Sequence, residues 1–244
     1  MDLGLQGRVA VVTAASKGLG RASAQALSEE GVSLVINSRD AATLEAAAAG
    51  MPGEVVTVAA DVTERDVPQR LIDTALERFG RVDIVVPNAG GPPPARALDF
   101  DDAALEAALN ANLLTSIRLI KAALPSMRER SWGRVCCITS VSVKQPIPTL
   151  ALSNTARTGL WAWCKTAAAD LFPEGITVNM AAPGGHATER VKELSGARGG
   201  GGSGRPLGDP GDFGKIVAFL CSEQAKYVSG VALQVDGAGT TGLL

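Results

Sequence analysis

The amino-acid sequence predicts an α/β fold: a doubly wound parallel sheet in a single domain. Apolar, strand-like runs alternate with helical stretches along the chain, which argues for a parallel sheet carrying helices on both faces. The runs are apolar almost throughout, without the in–out alternation of a half-exposed strand, and this fits burial on both sides. The first run, Val9-Ala10-Val11-Val12, leads through a glycine turn into a helical stretch.

The strands fall at residues 8–13, 32–37, 55–60, 82–87, 133–139, 176–182 and 231–235. Between them, helices are predicted over 19–30, 41–49, 64–79, 101–130, 150–171 and 209–222. There is no internal repeat and no second domain; 244 residues suit one α/β unit. Two segments break the rhythm. Gly90-Gly91-Pro92-Pro93-Pro94 is stiff and can form neither a helix nor a central strand. Residues 195–208 contain four consecutive glycines, 199–202, between the sixth strand and the last helix. That placement predicts a mobile active-site lid around 189–208.

Composition bounds the function. At 46% hydrophobic residues the chain can bury a sizeable core. A net charge of −2 gives no general attraction to nucleic acid or to an anionic membrane. No apolar run approaches the length of a membrane span. Met1-Asp2-Leu3-Gly4 lacks the basic and apolar parts of a signal peptide, so a cytoplasmic protein is expected. Cys136, Cys137, Cys164 and Cys221 include no C-x-x-C spacing and read as buried free thiols in a reducing compartment. Cys136 and Cys137 are neighbours in a strand and should point to opposite faces. His186 is the single histidine, which excludes a His-rich metal site, and no metal is expected.

Open α/β sheets bind ligands outside the carboxyl ends of their strands. The residues at those ends are 13–20, Asn37-Ser38-Arg39, Asp61-Val62, Asn88-Ala89-Gly90, Ser140 and 183–188. The turn Thr13-Ala14-Ala15-Ser16-Lys17-Gly18-Leu19-Gly20 has the strand-to-helix context of a phosphate loop. Glycines there let the backbone approach a pyrophosphate, and the helix N-terminus offers unpaired N–H groups and a favourable dipole.

Together these segments resemble the short-chain dehydrogenase/reductase family, from Leu5 to about Gly237. The turn at Thr13–Gly20 is similar to that family's cofactor turn, with Ala14 where a glycine is usual. Asp61-Val62-Thr63 resembles its adenine-contacting strand end, and Asn88-Ala89-Gly90 its central-strand signature. Asn112 matches the helix asparagine that holds a relay water, and Ser140 the serine that polarises a carbonyl. Pro183, Gly184 and Thr188 match the loop that contacts the nicotinamide, and Val235-Asp236-Gly237 the C-terminal signature. The resemblance implies a Rossmann-like sheet of about seven parallel strands, a nicotinamide cofactor, a small-molecule substrate and a homo-oligomer, dimer or more commonly homotetramer. Helices 101–130 and 150–171 would supply one dimer interface; Trp161 and Trp163 fit either that interface or the core. An acid ending the second strand would favour NAD and repel a 2′-phosphate. This chain places Arg39 there, with no acid before Asp40, and adds Lys17, so NADP(H) is expected.

One part of the family pattern is broken. The family's proton donor is a tyrosine followed four residues later by a lysine that bonds the nicotinamide ribose. Here those positions hold Ser153 and Arg157, and the only tyrosine is the distant Tyr227. A serine is shorter and far less acidic than a phenol, and an arginine cannot exchange a proton near neutral pH. Three sources remain for a proton: His186, Lys144, and a water held by Ser140 and Ser153. Three kinds of chemistry remain as well. The chain reduces a carbonyl or 3-oxoacyl-type substrate with another donor, reduces an imine that needs no oxyanion protonated, or runs a non-redox reaction around a bound cofactor. A cofactor-sensing protein is the fourth class. The pocket would be built from 90–94, 144–150 and the segment after Thr188, with Pro146, Ile147, Pro148 and Leu150 making it largely apolar.

Overall fold

The strands of the computed structural model, which describes residues 1–191 and 206–242, lie in one sheet. They are β1 (Val9–Val12), β2 (Ser33–Ser38), β3 (Val55–Ala59), β4 (Ile84–Val86), β5 (Gly133–Ile138), β6 (Ile176–Pro183) and β7 (Ala232–Val235). All pair in parallel, in the order β3-β2-β1-β4-β5-β6-β7. The chain therefore builds outward from β1 to β3, then returns to the other flank of β1 with β4. Val12 stands level with Ile36 on one side and Val86 on the other. Loops leaving β1 and β4 diverge from that line and open a crevice at the carboxyl ends.

Helices α1 (Gly18–Glu29), α2 (Ala41–Ala48), α3 (Val67–Phe79), α4 (Asp102–Leu109), α5 (Thr115–Glu129), α6 (Ala151–Leu171) and α7 (Pro210–Leu220) connect the strands. Alternate strand residues feed two cores. Val9, Val11 and Cys137 pack with Leu71 of α3, Leu119 of α5 and Leu160 of α6. Ala10, Val12 and Cys136 pack with Leu27 of α1, Leu44 of α2 and Phe213 of α7. Burying each such large apolar side chain contributes roughly 1.5–3 kcal/mol. The paired cysteines thus face opposite layers, as their adjacency requires, and all four thiols are free and buried. Helices α1 and α7 touch closely because Gly214 carries no side chain; a Cβ there would collide with the Ala22 carbonyl. No helix among the described residues is long and apolar enough to cross a membrane.

One expectation needs amendment. The sequence reads as one helix over 101–130, but a π turn, Asn110–Leu114, separates α4 from α5. Local side chains tie off its wide backbone. Thr115 Oγ1 donates to Asn110 O (2.8 Å), and the Asn110 side chain links Thr63 O (3.0 Å) to Arg118 Nη1 (2.7 Å). The wide turn carries Asn112 inward, where it is buried. The lid expected around 189–208 falls mostly on residues 192–205, which lie outside the described residues. Its base is fixed: Ala187 N donates to Gly208 O (2.9 Å), and Gly208 N to Gly185 O (3.0 Å). Trp161 and Trp163 are half-buried and pack against the core under α6.

Candidate active site

The glycine turn is shaped by contacts to both flanking strands. Thr13 Oγ1 donates to Asn88 O (2.7 Å) and accepts from Asn88 N (2.8 Å), locking the ends of β1 and β4 together. Ala15 is buried and its N–H donates to Asn37 O (2.9 Å). Gly20 admits no Cβ, which would strike the Ala14 carbonyl and lie 2.6 Å from Asn88 Nδ2. Ala14 itself sits at φ +48°, and Gly18 at +60°. Ser16, Lys17 and Leu19 complete the turn.

Helix α1 begins without the carboxylate cap that three other helices carry. Aspartates cap α2, α4 and α7: Asp40 accepts from Thr43 N, Asp101 from Ala104 N and Asp209 from Gly211 N. Lys17 occupies the same position before α1, makes no side-chain cap, and the first turn holds no acid. A helix end with exposed N–H groups and no carboxylate suits an anion. The residues present therefore fit a dinucleotide's diphosphate: a glycine turn packed so closely at Gly20 that no side chain stands there, beside a helix start with no side-chain cap and no acid in its first turn. Thr188 lies over this turn, its methyl 3.7 Å from where a Gly18 Cβ would be. Lys17 Nζ bonds Glu189 Oε2 (2.8 Å) across the cleft.

The end of β2 is cationic. Asn37 is buried, and its amide donates to Val58 O (2.9 Å) and Ala60 O (3.0 Å), so it braces the sheet. Asp40 is turned away to cap α2, while Arg39 is exposed and acts electrostatically on Asp61. The Thr63 backbone N–H holds the Asp61 carboxyl below the usual carboxylate range. Asp61 Oδ1 accepts from Thr63 N (2.9 Å) and Thr63 Oγ1 (2.8 Å). Val62 turns its side chain into the core.

On the other bank, Arg157 on α6 is buried beneath Ser153. Its Nε donates to Ser153 Oγ (3.2 Å), Nη1 to Ile138 O and Thr139 O (both 3.1 Å), and Nη2 to Ala89 O (3.4 Å). These acceptors are one hydroxyl and three backbone carbonyls; none carries charge. Burial, with a smaller contribution from Arg190, lowers the guanidinium to about 10. Ser140 ends β5 half-buried, its Oγ accepting from Ser142 N (3.1 Å). Asn112 Nδ2 reaches Ala108 O (3.5 Å), and its Oδ1 is buried without a partner. Gly90 is exposed at the cleft mouth. Pro183 ends β6, and Gly184 N donates to Val235 O (3.0 Å); a Cβ on Gly184 would stand 2.7 Å from Asp236 Cβ.

The two side chains expected as proton donors each have a packing partner of their own. The His186 ring is buried edge-on against Phe213, with centroids 5.2 Å apart, and its Nδ1 lies 3.3 Å from Gly184 O. A Cβ on Gly208 would come within 2.9 Å of that ring. His186 therefore packs toward α7, whereas Ser153 and Arg157 belong to α6 across the sheet. A loop position fixes nearness along the chain, and packing fixes where the ring turns. Lys144 Nζ rests 4.5 Å above the Trp161 ring, a cation–π contact that holds it against α6. Arg190, which the sequence reading passed over, reaches the cleft: its Nη2 donates to Pro92 O (2.8 Å). The available signal was a cation two residues beyond Thr188.

A family model described as enoyl-(acyl carrier protein) reductase matches residues 13–241. The dehydrogenase/reductase SDR family member 4 of Mus musculus is 34% identical over 250 residues, covering 96% of this chain and 87% of the relative. The 3-oxoacyl-(acyl-carrier-protein) reductase of Synechocystis sp. is 32% identical over 249 residues, covering 96% of this chain and 97% of the relative. The solved L-sorbose reductase of Gluconobacter frateurii, complexed with NADPH and L-sorbose, matches at a TM-score of 0.92 and 29% identity over 100% of both chains. An NADPH-dependent reductase involved in bacilysin biosynthesis matches at 0.92 and 25% identity, over 97% of this chain and 99% of that one.

Proposed function

The chain belongs to the short-chain dehydrogenase/reductase family, and from that premise we propose that it is an NADP(H)-dependent reductase of a carbonyl, imine or 3-oxoacyl-type substrate whose proton-donor site has been rebuilt around Ser153 and Arg157. The turn Thr13–Gly20 cradles the diphosphate, with Ala15, Ser16, Gly18 and Leu19 along it. Arg39 and Lys17 receive the 2′-phosphate. Asp61 and Val62 border the adenine, and Asn88, Ala89 and Gly90 form the floor. Pro183, Gly184 and Thr188 border the nicotinamide end, and Arg157 serves its ribose. NADPH, when bound, supplies the hydride.

The observation that carries the reading is the bond from Arg157 Nε to Ser153 Oγ at 3.2 Å. Because Ser153 Oγ accepts that bond, its own hydrogen is the group it offers to a substrate. Ser140 Oγ likewise accepts from Ser142 N and offers its hydrogen. Two hydroxyl donors backed by a buried positive charge stabilise an oxygen on which negative charge develops. Arg157 keeps its proton, so it supplies field and orientation only. The final proton comes from a water held between the two hydroxyls, and Asn112 Oδ1 marks a buried acceptor where such a water can be anchored. His186 is left as a packing residue.

The same reading carries a cytoplasmic homo-oligomer, dimer or tetramer, with α5 and α6 at one interface. Following NADPH absorbance against ketones, imines and acyl thioesters tests the function. Oxidation dependent on one of these classes supports it. NADPH binding with no oxidation by any of them would point to non-redox chemistry around a bound cofactor.

A further inference from the structure

The hydroxyls of Ser140 and Ser153 stand at the two ends of one short connection. It leaves β5 through a short 3-10 turn, Val141–Val143, and enters α6 at Ala151. One guanidinium ties its ends together: Arg157 bonds Ser153 Oγ and also the carbonyls of Ile138 and Thr139, just before Ser140. The middle of the connection, residues 145–150, therefore borders a substrate held by both hydroxyls.

That middle is stiff and has one handle. Pro146 and Pro148 fix their own φ and disfavour helical backbone at the residue before each. Neither has an N–H, so Ile147 carries the only amide donor from 146 to 148. Asn154 takes both backbone groups of Ile147: its Oδ1 accepts from Ile147 N (3.4 Å), and its Nδ2 donates to Ile147 O (2.9 Å). Ile147 O also accepts from Leu150 N (2.9 Å), which closes a tight turn over Pro148 and Thr149. The flanks are anchored elsewhere. Gln145 Oε1 accepts from Thr241 N (3.2 Å), and Ala95 N donates to Thr149 O (3.0 Å). Ile147, half-buried between two exposed prolines, hangs on Asn154.

Asn154 follows Ser153 on α6, so one helical turn fixes both the hydroxyl and the clamp. A side-chain amide sets an acceptor beside a donor, the pair that the N–H and C=O of one residue require; a carboxylate offers no donor and an alanine offers neither. We propose that Asn154 is a positioning residue that determines specificity: through Ile147 it sets how far the apolar wall Pro146-Ile147-Pro148 stands from Ser140 and Ser153, and so how bulky a substrate the pocket admits. This rests on the reductase reading and adds to it the device that selects substrate size. Because the wall is stiff, releasing its clamp moves it as a unit rather than one side chain at a time.

The test uses the full chain with NADPH and two ketones that present the same carbonyl, cyclohexanone and 4-tert-butylcyclohexanone. Asn154→Ala should raise the ratio of kcat/KM for the bulky ketone over the small one by about threefold to tenfold, the range that one or two hydrogen bonds control. The change should lie in KM more than in kcat, since Ser153 and Arg157 are untouched, and NADPH affinity should stay within about twofold. Exchange of the Ile147 amide hydrogen, followed by NMR, should quicken on the order of tenfold in Asn154→Ala. Asn154→Gln, with the same amide on a longer stem, should recover part of that protection. Unchanged exchange at Ile147 overturns the proposal. So does quicker exchange with an unchanged ratio, since the clamped segment would then not be the wall. Equal losses for both ketones together with weaker NADPH binding also overturn it, because Asn154 would then only support the fold. If the unaltered chain oxidises NADPH with neither these nor any other carbonyl or imine, while Asn154→Ala still quickens exchange at Ile147, the clamp stands and the reductase reading falls.

Discussion

Arg157 Nε and Ser153 Oγ lie 3.2 Å apart, one helical turn from each other on α6. The spacing puts both on one face, and that face looks at the carboxyl end of β5, where Nη1 takes the carbonyls of Ile138 and Thr139. The serine is thereby fixed as an acceptor toward the arginine. Ser153→Ala should lower kcat by about tenfold to a hundredfold, toward the loss seen when one oxyanion donor is removed. Affinity for NADPH should stay within about twofold, since Arg157 keeps its three carbonyl bonds. Equal losses in kcat and in cofactor affinity would show that the serine only positions Arg157.

Arg39 is the exposed cation at the end of β2, and the nearest acid along the chain, Asp40, is occupied as the cap of α2. Arg39→Ala should weaken NADPH by about tenfold to a hundredfold and NADH by no more than about threefold. Titration of both cofactors by fluorescence checks it; parallel losses would remove the case for phosphate recognition.

Ala14 holds φ +48° in the glycine turn. A left-handed conformation costs an L-residue roughly 1–2 kcal/mol, and glycine escapes that cost while adding some entropy to the unfolded chain. Ala14→Gly should therefore raise stability by up to about 1 kcal/mol, visible as a higher melting temperature. A lower melting temperature would mean that the methyl group packs well enough to outweigh its backbone.

Most of the fold was legible because strand burial is written as continuous apolar runs, and the ends of those runs gave the positions of Thr13, Asn88 and Ser140. The π turn at Asn110–Leu114 was not, since the helical pattern continues through it and only side-chain bonds from Asn110 and Thr115 reveal the wider backbone. His186 and Arg190 show the other limit. Both lie just beyond β6, yet the first ring turns to Phe213 and the second side chain crosses to Pro92, 98 residues away in sequence. Chain position says which loop a residue belongs to, and tertiary packing decides which bank it faces.

His186→Phe follows from that geometry. A phenyl ring can keep the edge contact with Phe213 and the close approach to Gly208, so the folded chain should persist. The profile of kcat/KM between about pH 5 and 8, where an imidazole would titrate, should be unchanged. Loss of an acidic limb in the variant would return His186 to the proton path.

Asp61 carries a pH dependence with a definite sign. The Thr63 backbone N–H lowers its carboxyl in the folded chain, so as pH falls the unfolded chain takes up its proton first. The stabilisation is complete above the ordinary carboxylate value of about 4 and is lost as pH drops through the lowered one. Asp61→Asn should flatten the acid limb of melting temperature against pH in that window, leaving the neutral region nearly level. An unaltered acid limb would assign the loss to other carboxylates.

Restoring the family's pair is the sharpest test of what Ser153 and Arg157 replace. Ser153→Tyr with Arg157→Lys puts a phenol where the hydroxyl is and an ammonium where the guanidinium lies. The lysine can still donate to the carbonyls of Ile138 and Thr139, but it cannot span to Ala89 O as well, because its donors radiate from one nitrogen. The phenol gains an acid strong enough to protonate an alkoxide directly, which general acid catalysis values at roughly a hundredfold to ten-thousandfold. Turnover of simple neutral ketones should therefore rise in the double variant. Activity on ketones that stays flat, with melting temperature and NADPH affinity retained, would mean that the pocket around Ser140 does not present a carbonyl to residue 153 at all.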